Sequence, residues 1–243
     1  MAESVTIDRR FNGPPDSAQG GYACGLLALR IESASAGVSL RAPPLLERPL
    51  EVRRGDGGAV ALYHGEALIA DGAPAELDLD VPEPVSLDVA EEASRDFLWR
   101  ERHPFPTCFG CGPARAAEEA IAVLPGPVAG RDLVAATWTP LDEFAGPDGA
   151  VSPLFVWAAL DCPTSFGALT PDAPTHVLAR LDAKLIAPVR AGEPHTVIAW
   201  PVAREGRKAF GGAAIHDADG TLCAISRGLW IQVREPSAVG ATR

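Results

Sequence analysis

Two patterns of apolar positions alternate along this chain, and they occur in the same order twice. Residues 22–31 and 154–160 are apolar nearly all the way round. A helix without a polar face has to be wrapped on every side. Gln19-Gly20-Gly21-Tyr22 opens the first such run, which extends to Ala34, and Ser152-Pro153-Leu154 opens the second, which extends to Leu169. Four stretches of strand character follow each: 38–42, 50–54, 59–64 and 67–73 in the first copy, 177–187, 196–205, 208–217 and 221–233 in the second. The turns recur as well, with 47–49, 54–57 and 64–65 matching 192–194, 205–207 and 217–220. Self-similarity of this kind fixes an architecture before any other reading does.

Along 178–185, Leu178, Arg180, Asp182 and Lys184 alternate with Ala179, Leu181, Ala183 and Leu185, which gives a strand one wet face and one dry face. A curved antiparallel sheet whose dry face grips an apolar helix satisfies both patterns. The expected class is therefore α+β, with two antiparallel sheets each wrapping a central helix. Between the copies, 74–107 is acidic and broken by Pro74, Pro82, Pro84, Pro104 and Pro106. Ser86 there is placed to cap a helix running to about Arg100, with Leu87, Ala90, Phe97 and Leu98 turned inward. The division this suggests is an N-terminal unit over 1–81, a linker with a short helix over 82–107, and a C-terminal unit over 108–236. Residues 237–243 carry no pattern and are expected to fray.

Composition narrows the classes of function. A chain of 243 residues, 47% hydrophobic and 22% charged, can bury one large core or two modest ones. No apolar stretch approaches the roughly 20 residues of a spanning helix, and residues 1–10 lack a basic-then-apolar leader pattern. A cytoplasmic protein that does not insert in membranes is expected. The formal charge of -11 argues against nucleic acid as a partner. Five cysteines, with Cys24 and Cys162 inside the apolar runs, fit reduced thiols better than a disulfide framework. There is no G-x-S-x-G elbow, H-E-x-x-H, P-loop or dinucleotide fingerprint.

Four stretches resemble double-hotdog acyl-CoA thioesterases of the phenylacetate and TesB-like kinds. Gln19-Gly20-Gly21-Tyr22 is similar to the His-Gly-Gly start of that family's central helix. Cys108-Phe109-Gly110-Cys111-Gly112-Pro113 resembles the opening segment of many members. Ala159-Leu160-Asp161-Cys162 resembles the helix segment bearing the catalytic carboxylate, and 205–208 through 219–220 to 230–231 resembles the closing hairpins. The resemblance implies a site between two hotdog units, where a helix N-terminus from one faces a carboxylate from the other. Backbone N–H groups there can stabilise the negative charge that a thioester carbonyl gains on attack.

Each copy holds half of that equipment. The first has Gly20 and Gly21 but Ala28 where the resemblance places the acid; the second has Asp161 but Ser152-Pro153-Leu154 at the helix start, where proline supplies no N–H. One composite site is expected, with Gly20 and Gly21 facing Asp161 as base or nucleophile. Ser165 shares the helix face of Asp161 and could orient water, while Pro163 frees the carbonyl of Ala159. An acid in an apolar helix also fits a structural role, paired with a buried arginine or bonded to backbone.

Gln19, Tyr22, Phe155, Trp157 and Phe166 are candidates to line a substrate gap, and Arg207 and Lys208, with Arg180, Lys184 and Arg190, to meet a nucleotide. Cys108 and Cys111 have zinc-ligand spacing with His103 nearby, but no second pair follows, so no metal is expected. His64, His176, His195 and His216 read as surface or turn residues. The expected partner is an acyl-CoA or other acyl thioester, with no cofactor beyond the coenzyme A of the substrate. The internal pseudo-dimer leaves further homo-oligomerisation open. Two alternatives remain: a silent acyl-CoA or lipid-binding protein, and a hotdog enoyl-CoA hydratase, for which Asp16-Ser17-Ala18-Gln19 lacks the histidine.

Overall fold

The computed structural model describes residues 3–233; the expected frayed segment at 237–243 lies outside them. A short strand β1 (Glu3–Thr6) precedes helix α1 (Gly20–Ala28), and β2 (Ser35–Leu40), β3 (Pro49–Arg54), β4 (Val60–His64) and β5 (Ala67–Pro74) complete the first half. Helix α2 (Leu87–Arg95) and the two-residue β6 (Gly126–Pro127) lie in the connection. The second half is β7 (Val134–Trp138), α3 (Pro153–Ala168), β8 (His176–Leu185), β9 (His195–Glu205), β10 (Lys208–His216) and β11 (Leu222–Gln232). All eight strands read from the pattern are present within a few residues of their expected bounds.

The strands form one continuous antiparallel sheet in the order β1-β3-β4-β5-β2-β8-β11-β10-β9-β7-β6. Read outward from the β2–β8 junction, the two halves follow the same sequence of equivalent strands, which is the order of a pseudo-twofold. Each half supplies one of the two expected antiparallel sheets, and the two are joined edge to edge where β2 pairs with β8 from Ser35↔Lys184 to Ser39↔Arg180. The two central helices pack against each other, α1 also touching β2, β4 and β5 and α3 touching β9, β10 and β11. Ten of the sixteen residues of α3 are buried, so its lack of a polar face is met by enclosure.

Glycine sets how near the helices come. A Cβ on Gly21 would stand 2.5 Å from the Trp157 carbonyl oxygen, and one on Gly25 would stand 2.9 Å from the Leu154 carbonyl oxygen. Both obstacles are backbone, so neither position admits a side chain without parting the helices.

Three expectations change here. The alternation of β8 is interrupted where the pairing with β11 shifts between Leu229 and Trp230, opposite Arg180 and Leu178. The bulge turns Leu178 into the interior, where it is 8% exposed, instead of leaving it on the wet face. Asp182 of the wet set is also buried, held by Arg180 and Arg227 at 2.6 and 3.3 Å. Helix α2 starts at Ser86, whose hydroxyl accepts from Val89 N–H, but it ends at Arg95 rather than Arg100 because Asp96 leaves the helical region. Leu98 consequently points outward and is 51% exposed, whereas Phe97 is buried.

Gly25→Val should lower the unfolding free energy by about 2–3 kcal/mol through overpacking against α3. Urea denaturation followed by tryptophan fluorescence measures it.

Candidate functional site

The site is built where the start of α1 meets the middle of α3. Gln19 is the N-cap of α1, and its side-chain oxygen accepts from Tyr22 N–H at 2.6 Å. Its amide nitrogen crosses to the other helix, donating to Asp161 Oδ2 at 2.7 Å and to the Ala158 carbonyl at 3.1 Å. One side chain thereby caps its own helix and ties it to α3. Gly21 N–H donates to the same Asp161 Oδ2 at 2.7 Å. The positive end of α1 thus faces a carboxylate, as helix electrostatics favour.

Asp161 is 2% exposed, and its second oxygen, Oδ1, is buried without a hydrogen-bond partner. Burial pushes its carboxyl up to about 8, with the Gly21 N–H opposing and Cys108 adding a smaller upward contribution. Thr164, fully buried, donates to the Asp161 carbonyl at 2.6 Å and accepts from Trp230 Nε1 at 2.8 Å. That bridge holds the turn of α3 carrying Asp161 to the sheet beneath it. The helix continues through Pro163 to Ala168.

A cavity of about 670 Å³ opens beside this junction, lined among others by Gln19, Gly20, Asp161, Ser165, Phe166 and Leu178. The structure therefore brings together Gln19, Gly20, Asp161, Ser165 and Phe166 from the sequence-derived set, and Gly21 through its bond to Asp161. Gly21 N–H is occupied by that bond and Tyr22 N–H by Gln19. Among the hydrogen bonds of the described residues, none uses the Gly20 N–H.

Other candidates lie elsewhere. Tyr22 stacks on Phe11 at 4.1 Å between ring centroids and Phe155 on Phe144 at 4.3 Å, all within one aromatic cluster around Phe109. Trp157 is 2% exposed in the α1–α3 interface. Tyr22 and Trp157 are core and Phe155 packs partly buried against it, because the helices meet too closely to leave a gap at that level. Arg207 and Lys208 occupy the β9–β10 turn outside the cavity lining, Arg207 donating to the Gln232 carbonyl. Arg180 is taken up by Asp182 and Arg190 by the Asp148 carbonyl, so no open basic cluster forms there. The basic residues lining the cavity are instead Arg41, Arg102, His103 and His176.

The histidine expectation needs correction. His176, His195 and His216 are 6%, 1% and 3% exposed, and only His64 is a surface residue of the four. His176 lines the cavity, with Nδ1 against the Pro174 carbonyl at 2.6 Å and Nε2 lacking a partner. It opens β8, and its place at a strand end is the signal that suggested exposure. Cys108 and Cys111 also acquire a companion absent from their local sequence, since Cys162 of α3 lies beside them.

No sequence-family model matches the chain, and no curated protein matches it by sequence. Comparison with solved structures is informative. A TesB protein of Mycobacterium avium subspecies paratuberculosis superposes with a TM-score of 0.60 over 95% of this chain and 92% of its own, at 11% identity. A protein of Novosphingobium aromaticivorans described as a thioesterase gives 0.60 over 95% of both chains, also at 11% identity. A hotdog-fold protein of unknown function from Alicyclobacillus acidocaldarius gives 0.58 over 96% of this chain and 93% of its own, at 10% identity. The fold is the double hotdog, the architecture of these structures. No helix among the described residues is long and apolar enough to cross a membrane.

Gln19→Leu keeps the volume but strips Asp161 of one donor and Tyr22 N–H of its cap. It should cost about 2 kcal/mol of stability, read as a lower urea midpoint at unchanged slope.

Proposed function

We propose that the chain is a thioester hydrolase acting on an acyl-CoA or similar acyl thioester in the cavity beside Asp161. One observation carries the reading: a buried carboxylate has one oxygen clamped by Gln19 and Gly21 and the other free of protein partners, on the wall of a cavity lined largely by apolar side chains. A fixed carboxylate with one unpartnered oxygen is suited, once ionised, to take a proton from a water that reaches it. Overall likeness to a TesB protein and to a structure described as a thioesterase supports the choice of substrate class.

In this scheme Asp161 Oδ1 accepts a proton from a water molecule oriented by Ser165. The water oxygen attacks the thioester carbonyl, and the Gly20 N–H, left without an acceptor at the start of α1, stabilises the oxyanion. Collapse breaks the carbon–sulfur bond, and the proton held by Asp161 passes to the leaving thiolate. A free carboxylic acid and a thiol are released. Phe166 and Leu178 flank the acyl group, while Arg102 and Arg41, ion-paired with Asp172 and Asp71 respectively, are the arginines of the cavity wall that an anionic carrier would have to draw from those pairs. No cofactor is required beyond the carrier itself.

A second reading, a silent acyl-thioester-binding protein, is favoured by one feature. The Gly21 N–H, expected as an oxyanion donor, is already committed to Asp161, leaving a single donor at that helix start.

Loss of thioester absorbance with short, medium, aryl and long acyl-CoAs, measured alongside calorimetric binding, separates the two. Turnover by the native chain that falls by about 10²–10⁴ in Asp161→Asn, with binding retained, supports hydrolysis. Binding without turnover in the native chain supports the silent protein. Unchanged turnover in the variant removes Asp161 from the mechanism.

A further inference from the structure

Three cysteine sulfurs, from Cys108, Cys111 and Cys162, lie within 4.8 Å of one another in the interior. They come from two distant segments, the loop between α2 and β6 and the middle of α3. All are reduced, and they are 4%, 3% and 6% exposed. Cys108 Sγ and Cys162 Sγ are 3.9 Å apart. A tetrahedral cation with metal–sulfur bonds of about 2.3 Å would set its sulfurs about 3.8 Å apart.

The loop is shaped around these sulfurs. Gly112 N–H closes the turn on the Cys108 carbonyl at 2.8 Å. A Cβ on Gly110 would stand 2.8 Å from Cys162 Sγ and 3.0 Å from Gln19 Nε2. One on Gly112 would stand 2.5 Å from both Cys108 N and the Pro106 carbonyl oxygen. The glycines of Cys-Phe-Gly-Cys-Gly are therefore required by close approach.

His103 completes the surroundings. Its Nδ1 accepts from Phe105 N–H at 3.0 Å, which leaves the ring proton on Nε2, 3.3 Å from Cys111 Sγ. That tautomer makes the imidazole a hydrogen-bond donor to sulfur instead of a ligand. Three sulfurs remain as donors, and all three cysteines line the cavity.

We propose that Cys108, Cys111 and Cys162 form a three-thiolate site for a thiophilic divalent cation, zinc being the ion expected, with its fourth coordination position open to the cavity and His103 donating to the Cys111 sulfur. Three thiols gathered in a dry wall become, once deprotonated, a donor set for a soft cation, and thiolate ligands select zinc among abundant divalent ions. Loading sends the thiol protons to solvent. The bound ion fixes Cys162, next in sequence to Asp161, against the loop, and water or a thiol in the cavity takes the remaining position. The inference is independent of the thioester reading, since metal content is measured without substrate.

The full chain, produced with zinc in the medium and purified without chelator, is tested by elemental analysis and by cobalt substitution. One zinc per chain is expected, and cobalt should give sulfur-to-cobalt charge-transfer bands with the strong visible bands of a four-coordinate site. Those visible bands should shift on adding a small thiol. Cys111→Ser and Cys162→Ser should each lose the metal, whereas Cys24→Ser, a buried cysteine outside the cluster, should keep it. His103→Gln should retain the ion with affinity lowered by about 10–100-fold. A native chain that holds no zinc and gives no cobalt bands overturns the proposal, as does an intact mass showing the native cysteines joined in a disulfide. Cobalt bands that ignore added thiol overturn the open fourth position. If the serine variants fail to fold by circular dichroism, the measurements on the native chain decide alone.

Discussion

The distance between α1 and α3 governs the rest of this molecule. Gly21 and Gly25 let one helix rest on the backbone of the other, and only at that separation can Gln19 cap its own helix while gripping Asp161 and Ala158. Enclosure by the two halves of the sheet supplies the hydrophobic drive, since neither helix has a face it could leave in water. Glycine converts that drive into a polar junction at a defined spot. A carboxylate so deep in the interior is tolerated because two donors meet one of its oxygens.

The sequence made legible what depends on periodicity. Both wrapped helices, all eight following strands and the pseudo-repeat could be read from alternation and from recurring turns. The strands preceding each helix were missed, because Glu3–Thr6 and Val134–Trp138 are short and carry no turn signal of their own. Fusion of two expected sheets into one depends on which edges meet, and no alternation within β2 or β8 encodes its neighbour. The Leu178 reversal has the same origin, since a bulge is a property of pairing.

At the site, residues tied to backbone geometry were easier to place than those chosen by size or charge. The convergence of Gly20 and Gly21 on Asp161 was implied by the resemblance to double-hotdog thioesterases, whereas Gln19, expected against substrate, meets Asp161 as the cap of α1. Tyr22, Phe155 and Trp157 looked like substrate contacts but pack in the core or, for Phe155, against it, because an aromatic ring serves either purpose and only the space around it decides. His176 hid behind its place at a strand end. Cys162 hid more thoroughly, separated from Cys111 by more than fifty residues and read as a small hydrophobe of its helix. Asymmetry between the halves was legible in outline: Pro153 stands at the start of α3, and Ala28 occupies in α1 the place that Asp161 holds in α3.

The fused sheet bears on how copies of this protein can meet. Joining the halves along β2 and β8 consumes the two edges that separate hotdog units would otherwise present, and the outermost strands among the described residues are β1 and β6, four and two residues long. Such stubs expose few unpaired amides, and the length of β9 that β7 leaves uncovered, residues 200–205, is interrupted by Pro201, which has no N–H to offer a neighbour's strand. Among the described residues, ribbon-like growth from either end of the sheet is thereby disfavoured.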